Sequence, residues 1–229
     1  MSGKRCGGSS SLGGRREKMQ LTYLLYSEIE PIDLAPIGVF SMGKRVIPDL
    51  EYRLVAPTRD AVRLSNGLAV LPSLSFDEVT DVDVLMVPGG GGWSRAAHDE
   101  MTLAFIRKWA PRALVVSICT GSLILAAAGV LDGLAATTKC RVVPSECSPM
   151  DELAKAEVRV LRQVLLVDNG RVITGGGVTL GIDTTFYLIA RRYGETAADK
   201  IAHLMEYDTA RAANLQRLKV VTEERAPRQ

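Results

Sequence analysis

Two residues in this chain could do chemistry together: a thiol, Cys119, and a carboxyl, Asp33. Cys119 lies in Ser117-Ile118-Cys119-Thr120-Gly121, between a β-branched run and a run rich in leucine and alanine. Ser117-x-Cys119-x-Gly121 has the spacing of a nucleophile elbow, a sharp strand-to-helix turn whose flanking residues are small because bulky ones would clash. The amides that open the following helix favour the thiolate, which is the reactive species. The expectation is therefore a Cys119 pKa below the free value of about 8.5. A buried structural cysteine is the commoner fate of a free thiol, but the turn tips the reading towards a nucleophile. Thr120 adds a hydroxyl beside it that could hold a polar substrate atom.

Asp33 follows the first apolar run. Read locally, it is the N-cap of a short helix over 33–43, with Pro36 in the first turn. Beside a thiol it is instead a general acid/base, partly protonated because a neighbouring thiolate would raise its pKa. Gly89-Gly90-Gly91-Gly92 follows another apolar run. It is no dinucleotide fingerprint, since Ser94 and Arg95 stand where G-x-G-x-x-G needs its third glycine. It reads either as a tight turn or as backbone amides brought close to an oxyanion. Gly175-Gly176-Gly177 ends a further run. Gly89, Gly90, Gly121 and Gly176 are the candidates for touching substrate. His98 sits in a polar loop and His203 inside a helix, where it should be half-buried. Neither histidine has a partner at metal-ligand spacing, and Cys140-x6-Cys147 is not a zinc pattern, so no metal is expected.

The elements that must position these residues alternate. Strands are expected over 20–26, 52–58, 82–87, 113–118 and 171–177, and Asn66-Gly67 between two apolar runs marks a hairpin. Helices are expected over 33–43, 100–110, 122–131, 178–193 and 195–207. Near-continuous apolar strands alternating with helices predict a parallel sheet covered on both faces. Such sheets bind ligands beyond the carboxyl ends of their strands, which is where Asp33, the two glycine runs and Cys119 fall.

The 229 residues, 47% apolar, suffice for one α/β domain. We expect it over 19–214, with a Gly- and Ser-rich tail over 1–18 and a charged, loose tail over 215–229. Basic and acidic residues number 28 and 26, and aromatics make up 5%. That balance points to neither nucleic acid nor a membrane surface. There is no apolar run of membrane-spanning length, the N-terminal residues are not expected to act as a secretory leader, and four cysteines do not make a disulfide framework. A cytoplasmic protein acting on a small molecule is expected.

"PIDLAP", "VPGG", "SICTGSLILAAAGVLDGLAATT", "GGGVTLGID" and "MEY" together resemble the ThiJ/PfpI superfamily, a group with class I glutamine amidotransferase-like domains, and within it the isocyanide hydratases. The resemblance covers about 21–207. It implies a flavodoxin-like three-layer sandwich, usually a homodimer, with a reactive elbow cysteine and no cofactor. It further implies that Cys119 is the nucleophile, Asp33 the general acid/base and Thr120 a hydrogen-bonding neighbour, with the Gly90 amide lining the pocket. The product would be an N-substituted formamide. Related peptidases carry histidine where this chain has Thr120, and related deglycases and glyoxalases carry glutamate where it has Asp33. AraC-type regulators share the elbow but continue into a helix-turn-helix domain, for which this chain is expected to be too short. Ala35-Pro36 and Lys139-Cys140 depart from the hydratase pattern. A glyoxalase or amidase acting on small carbonyls, and a non-catalytic ligand or thiol-oxidation sensor, are the alternatives.

Overall fold

The computed structural model describes residues 18–223. The expected N-terminal tail, apart from Lys18, lies outside the described residues. Eight strands form the central sheet: β1 (Met19–Leu24), β2 (Leu50–Ala56), β3 (Leu74–Ser75), β4 (Val84–Val87), β5 (Leu114–Ser117), β6 (Val164–Asp168), β7 (Val172–Gly175) and β8 (Lys219–Thr222). Their order is β8-β6-β7-β5-β4-β1-β2-β3. Every pairing is parallel except β6 with β7. The apolar runs are explained by this burial: β4 and β7 are covered at every position.

The helices are α1 (Ala35–Gly43), α2 (Trp93–Ala96), α3 (Glu100–Trp109), α4 (Gly121–Ala127), α5 (Pro149–Leu153), α6 (Leu180–Tyr193), α7 (Glu195–Leu204) and α8 (Asp208–Arg217). From β1 the chain crosses through α1 to β2 in one direction, and from β4 through α3 to β5 in the other. Right-handed crossovers therefore place α1 and α3 on opposite faces. α6 and α7 pack with α1, while α2 and α5 pack around α4. The result is a flavodoxin-like α/β sandwich with a mainly parallel sheet. Its strand order reverses between β1 and β4, and in such sheets the ligand crevice opens at that reversal.

The hairpin at Asn66-Gly67 forms as expected. Val62–Arg63 pairs antiparallel with Ala69–Val70, and Gly67 takes φ +89°. The structure differs at the C-terminal end. Residues 215–222, read as a loose tail, complete α8 and form β8, whose Val220 and Val221 lie beside Leu166 and Val167. A four-residue edge strand flanked by charges carries too little periodicity to be read from sequence. β6 likewise escaped the sequence reading.

Candidate active site

Asp33 lies in a single 3₁₀ turn, Pro31–Leu34, and is fully buried. It caps nothing: α1 begins without a side-chain cap, and the Asp33 Oδ2 accepts a hydrogen bond from the Gly89 amide at 2.9 Å. The loop after β1 is stitched to the loop after β4 by a bridge between Ile29 and Gly90 and by the Glu30 amide donating to the Gly89 carbonyl. Two buried tyrosines of the β1 segment brace the same region. Tyr23 donates to the Asp33 carbonyl and Tyr26 to that of Pro88.

Cys119 occupies the turn between β5 and α4 with φ +54°. Few non-glycine residues adopt that left-handed conformation. Surrounding contacts hold it there. Its amide donates to the Gly176 carbonyl at 3.1 Å, and its carbonyl accepts from the Thr138 hydroxyl at 2.7 Å. The turn also lies hard against β4. A Cβ on Gly121 would sit 2.1 Å from the Val87 carbonyl oxygen. The nearest atoms are all backbone of Val87 and Pro88, which leaves no side chain to rotate away. Gly121→Ala is therefore expected to destabilise the protein by about 3 kcal/mol and to displace the thiol, read as a lower denaturation midpoint with slower turnover.

The electrostatics of the pair differ from the sequence expectation. Burial pushes the Cys119 thiol up to about 12, with the Asp33 charge adding to the effect. Backbone groups of Val178 and Thr120 hydrogen-bond to the sulfur and pull the other way, but desolvation outweighs them. Burial likewise raises Asp33 from 3.8 to about 6, against the Gly89 amide and the Cys119 thiol, which lower it. The direction for Asp33 was expected; its cause is loss of water rather than a thiolate neighbour. At neutral pH the resting pair is thus a thiol beside a carboxylate that is easily protonated. Asp33 Oδ1 is buried with no oxygen or nitrogen partner among the described residues.

Each of the four candidate glycines has its amide engaged inside the protein. Gly89 donates to Asp33, Gly90 to the Thr120 hydroxyl at 3.0 Å, Gly121 to the Ile118 carbonyl and Gly176 to that of Leu165. The oxyanion reading of Gly89 and Gly90 gives way to a scaffolding one: the first holds the carboxyl, the second ties down Thr120. The Thr120 hydroxyl is thus committed to the Gly90 peptide.

His203 is exposed rather than half-buried, with Nδ1 3.2 Å from Asp208, and exposed His98 contacts the Ser94 carbonyl. Neither belongs to the site. Cys140 and Cys147 are exposed, and no group of three or more potential ligands among the described residues could hold a metal. A cavity of about 1280 Å³ opens at the opposite strand ends, beside Met19, Val84, Arg112, Leu114 and Arg171, away from the thiol. Sequence reasoning missed Thr138 and Val178. Val178 is β-branched yet has φ +58°, a conformation that such a residue adopts only under constraint. Its signal was the preceding triple glycine, of which only Gly176 stands among the sequence candidates.

The DJ-1/PfpI family profile matches residues 24–191. Isonitrile hydratase of Pseudomonas putida is 35% identical over 194 residues, which cover 84% of this chain and 80% of that protein. The HTH-type transcriptional regulator GbdR of Pseudomonas aeruginosa is 30% identical over 200 residues, 86% of this chain but 53% of the regulator. The chain thus spans about half that regulator's length. A crystal structure of a ThiJ/PfpI family protein from Pseudomonas syringae matches with a TM-score of 0.72 at 28% identity, covering 93% of this chain and 92% of the other.

Proposed function

The chain belongs to the DJ-1/PfpI family, and from that premise we propose that it hydrates an isocyanide to an N-substituted formamide, with Cys119 as nucleophile and Asp33 as proton carrier. The observation that carries the reading is the buried thiol–carboxyl pair formed where the β5–α4 turn meets the loop after β1. Addition to an isocyanide places the nucleophile and the proton on the same terminal carbon, so acid and nucleophile must converge on one atom. A terminal isocyanide carbon is also slender enough to reach a thiol that is only 4% exposed.

Asp33 takes the thiol proton, and the sulfur forms a bond to the terminal carbon. The proton then passes from Asp33 to that carbon, giving a thioimidate, S–CH=N–R. Water adds to the C=N carbon with Asp33 relaying its proton to nitrogen. Collapse of the tetrahedral species breaks the C–S bond, releases the formamide and returns the proton to sulfur. Atoms balance as one isocyanide plus one water. A carboxyl with a pKa of about 6 suits both directions of transfer. Thr120, locked to Gly90, and the four glycines position the turn. A homodimer and a cytoplasmic location belong to the same proposal; no helix among the described residues is long and apolar enough to cross a membrane.

The test is a panel of alkyl and aryl isocyanides with formamide quantified by mass spectrometry. Catalytic formation supports the reading. Absence of turnover, with binding of a small molecule that is left unchanged, would instead favour the sensor reading that similarity to a transcriptional regulator suggests.

A further inference from the structure

We propose that Lys139 is a specificity-determining residue of the thiol site, and that the substrate carries a carboxylate next to the isocyanide group. This rests on the hydratase reading and narrows its substrate class.

The backbone places Lys139 at the site's edge. Its neighbour Thr138 is fixed by the 2.7 Å hydrogen bond to the Cys119 carbonyl. The stem of Lys139 runs against Gly177, where a Cβ would come within 2.6 Å of its own Cβ and 2.7 Å of its Cγ. Gly177 precedes Val178, whose backbone touches the sulfur. So one packing contact joins the lysine stem to the segment that contacts the thiol. The Lys139 charge also reaches Asp33 and pulls its pKa down.

The Lys139 side chain is half-buried, 23% exposed, with its stem covered by the Gly177 segment. Glu146 Oε2 pairs with the ammonium at 2.9 Å. Glu146 itself is 48% exposed and lies in the run 140–147, which is exposed throughout. A half-buried lysine is thus met by a carboxylate that comes in from a rim open to water. A pair whose carboxylate faces water adds little stability. A substrate carboxylate can replace Glu146 with the same charge and the same acceptor atoms. The site otherwise repels anions, since Asp33 is ionised at neutral pH and Glu30 adds negative charge beside it. An anionic substrate needs the Lys139 charge; a neutral one does not.

Isocyanoacetate and its methyl ester form a matched pair, differing in charge and not in the reacting group. Wild-type kcat/KM is expected to favour the anion by about tenfold or more. Lys139→Gln should raise the KM for the anion at least about tenfold more than for the ester, and Lys139→Arg should recover part of the preference. Glu146→Gln should lower the KM for the anion, because the competing carboxylate is gone. Equal handling of acid and ester by the wild type, or equal losses in Lys139→Gln, would overturn the proposal and leave the hydratase reading standing. If other isocyanides are consumed but neither of these is, the proposal falls and the hydratase reading stands; if no isocyanide is consumed, the hydratase reading fails, and calorimetric titration with N-formylglycine decides Lys139 separately. Binding weakened about tenfold by Lys139→Gln supports an anion-recognising residue; identical binding, or none to either protein, removes it.

Discussion

Cys119→Ser is expected to abolish isocyanide turnover, lowering kcat by about 10³-fold or more, while the protein folds as before. The substitution keeps the shape of the turn. Serine accepts φ +54° no less readily than cysteine, and the amide and carbonyl of residue 119 retain their bonds to Gly176 and Thr138. What changes is the atom that must become an anion: an alcohol releases its proton far less readily than a thiol. The same chemistry gives a second readout in the wild type. Addition to an isocyanide expels no leaving group, so enzyme quenched during turnover should gain the full mass of the substrate on Cys119. An amidase acting through the same cysteine would lose an amine and gain only the acyl fragment. Intact-protein mass spectrometry separates the two, and an adduct short of the substrate mass would count against hydration. The buried state of the thiol adds a contrast. General alkylating agents should react slowly, because burial holds the thiol protonated, whereas the substrate reacts fast because Asp33 removes the proton in place.

Much of this site was legible in the sequence because its signals are local. Ser117-Ile118-Cys119-Thr120-Gly121 encodes a turn by residue size, and turn geometry is decided over a few residues. Alternating apolar runs and helical runs encode a parallel sheet, and a parallel sheet places its loops at one edge. The role of Asp33 was not local. N-cap and acid/base are indistinguishable until the loop after β1 is seen stitched to Gly89, 56 positions along the chain. The amides of Gly89 and Gly90 stayed open between two readings for the same reason: their acceptors, Asp33 and the Thr120 hydroxyl, come from other strand ends. The thiol pKa failed on a different count. The helix-start argument considers only the favourable amides, whereas enclosure by the loops after β1, β4 and β7 removes water, and that effect is larger. β8 and the exposed His203 were lost to short range of another kind. Four residues at a sheet edge, or one histidine on a helix, carry no pattern that distinguishes covered from open.

Asp33→Asn should separate catalysis from stability in opposite directions. Turnover is expected to fall by roughly 10²-fold or more, since the amide neither takes the thiol proton nor delivers one to carbon. Stability at neutral pH should rise. In the folded protein Asp33 titrates at about 6 against an ordinary value of 3.8. The folded state therefore holds this proton more tightly than the unfolded chain does. Below pH 3.8 the group is protonated in both states and imposes no penalty. As pH rises towards 6 the unfolded chain ionises freely while the folded one must ionise a buried carboxyl, and stability is lost. At about 1.36 kcal/mol for each tenfold change in proton affinity, the interval from 3.8 to 6 is worth about 3 kcal/mol above pH 6. Asparagine carries no charge and escapes this loss, while its carbonyl still accepts from the Gly89 amide. Urea denaturation should therefore show the variant more stable than the wild type at pH 7 and level with it near pH 4. The thiol should respond as well: removing the Asp33 charge removes the second largest cause of its raised pKa, so Cys119 should titrate lower in the variant even as turnover collapses. In the wild type, kcat/KM should fall as pH drops through about 6, because a protonated Asp33 no longer accepts the thiol proton. A variant with wild-type turnover, or one whose stability relative to the wild type does not change between pH 4 and 7, would remove Asp33 from the chemistry and return it to a purely structural role.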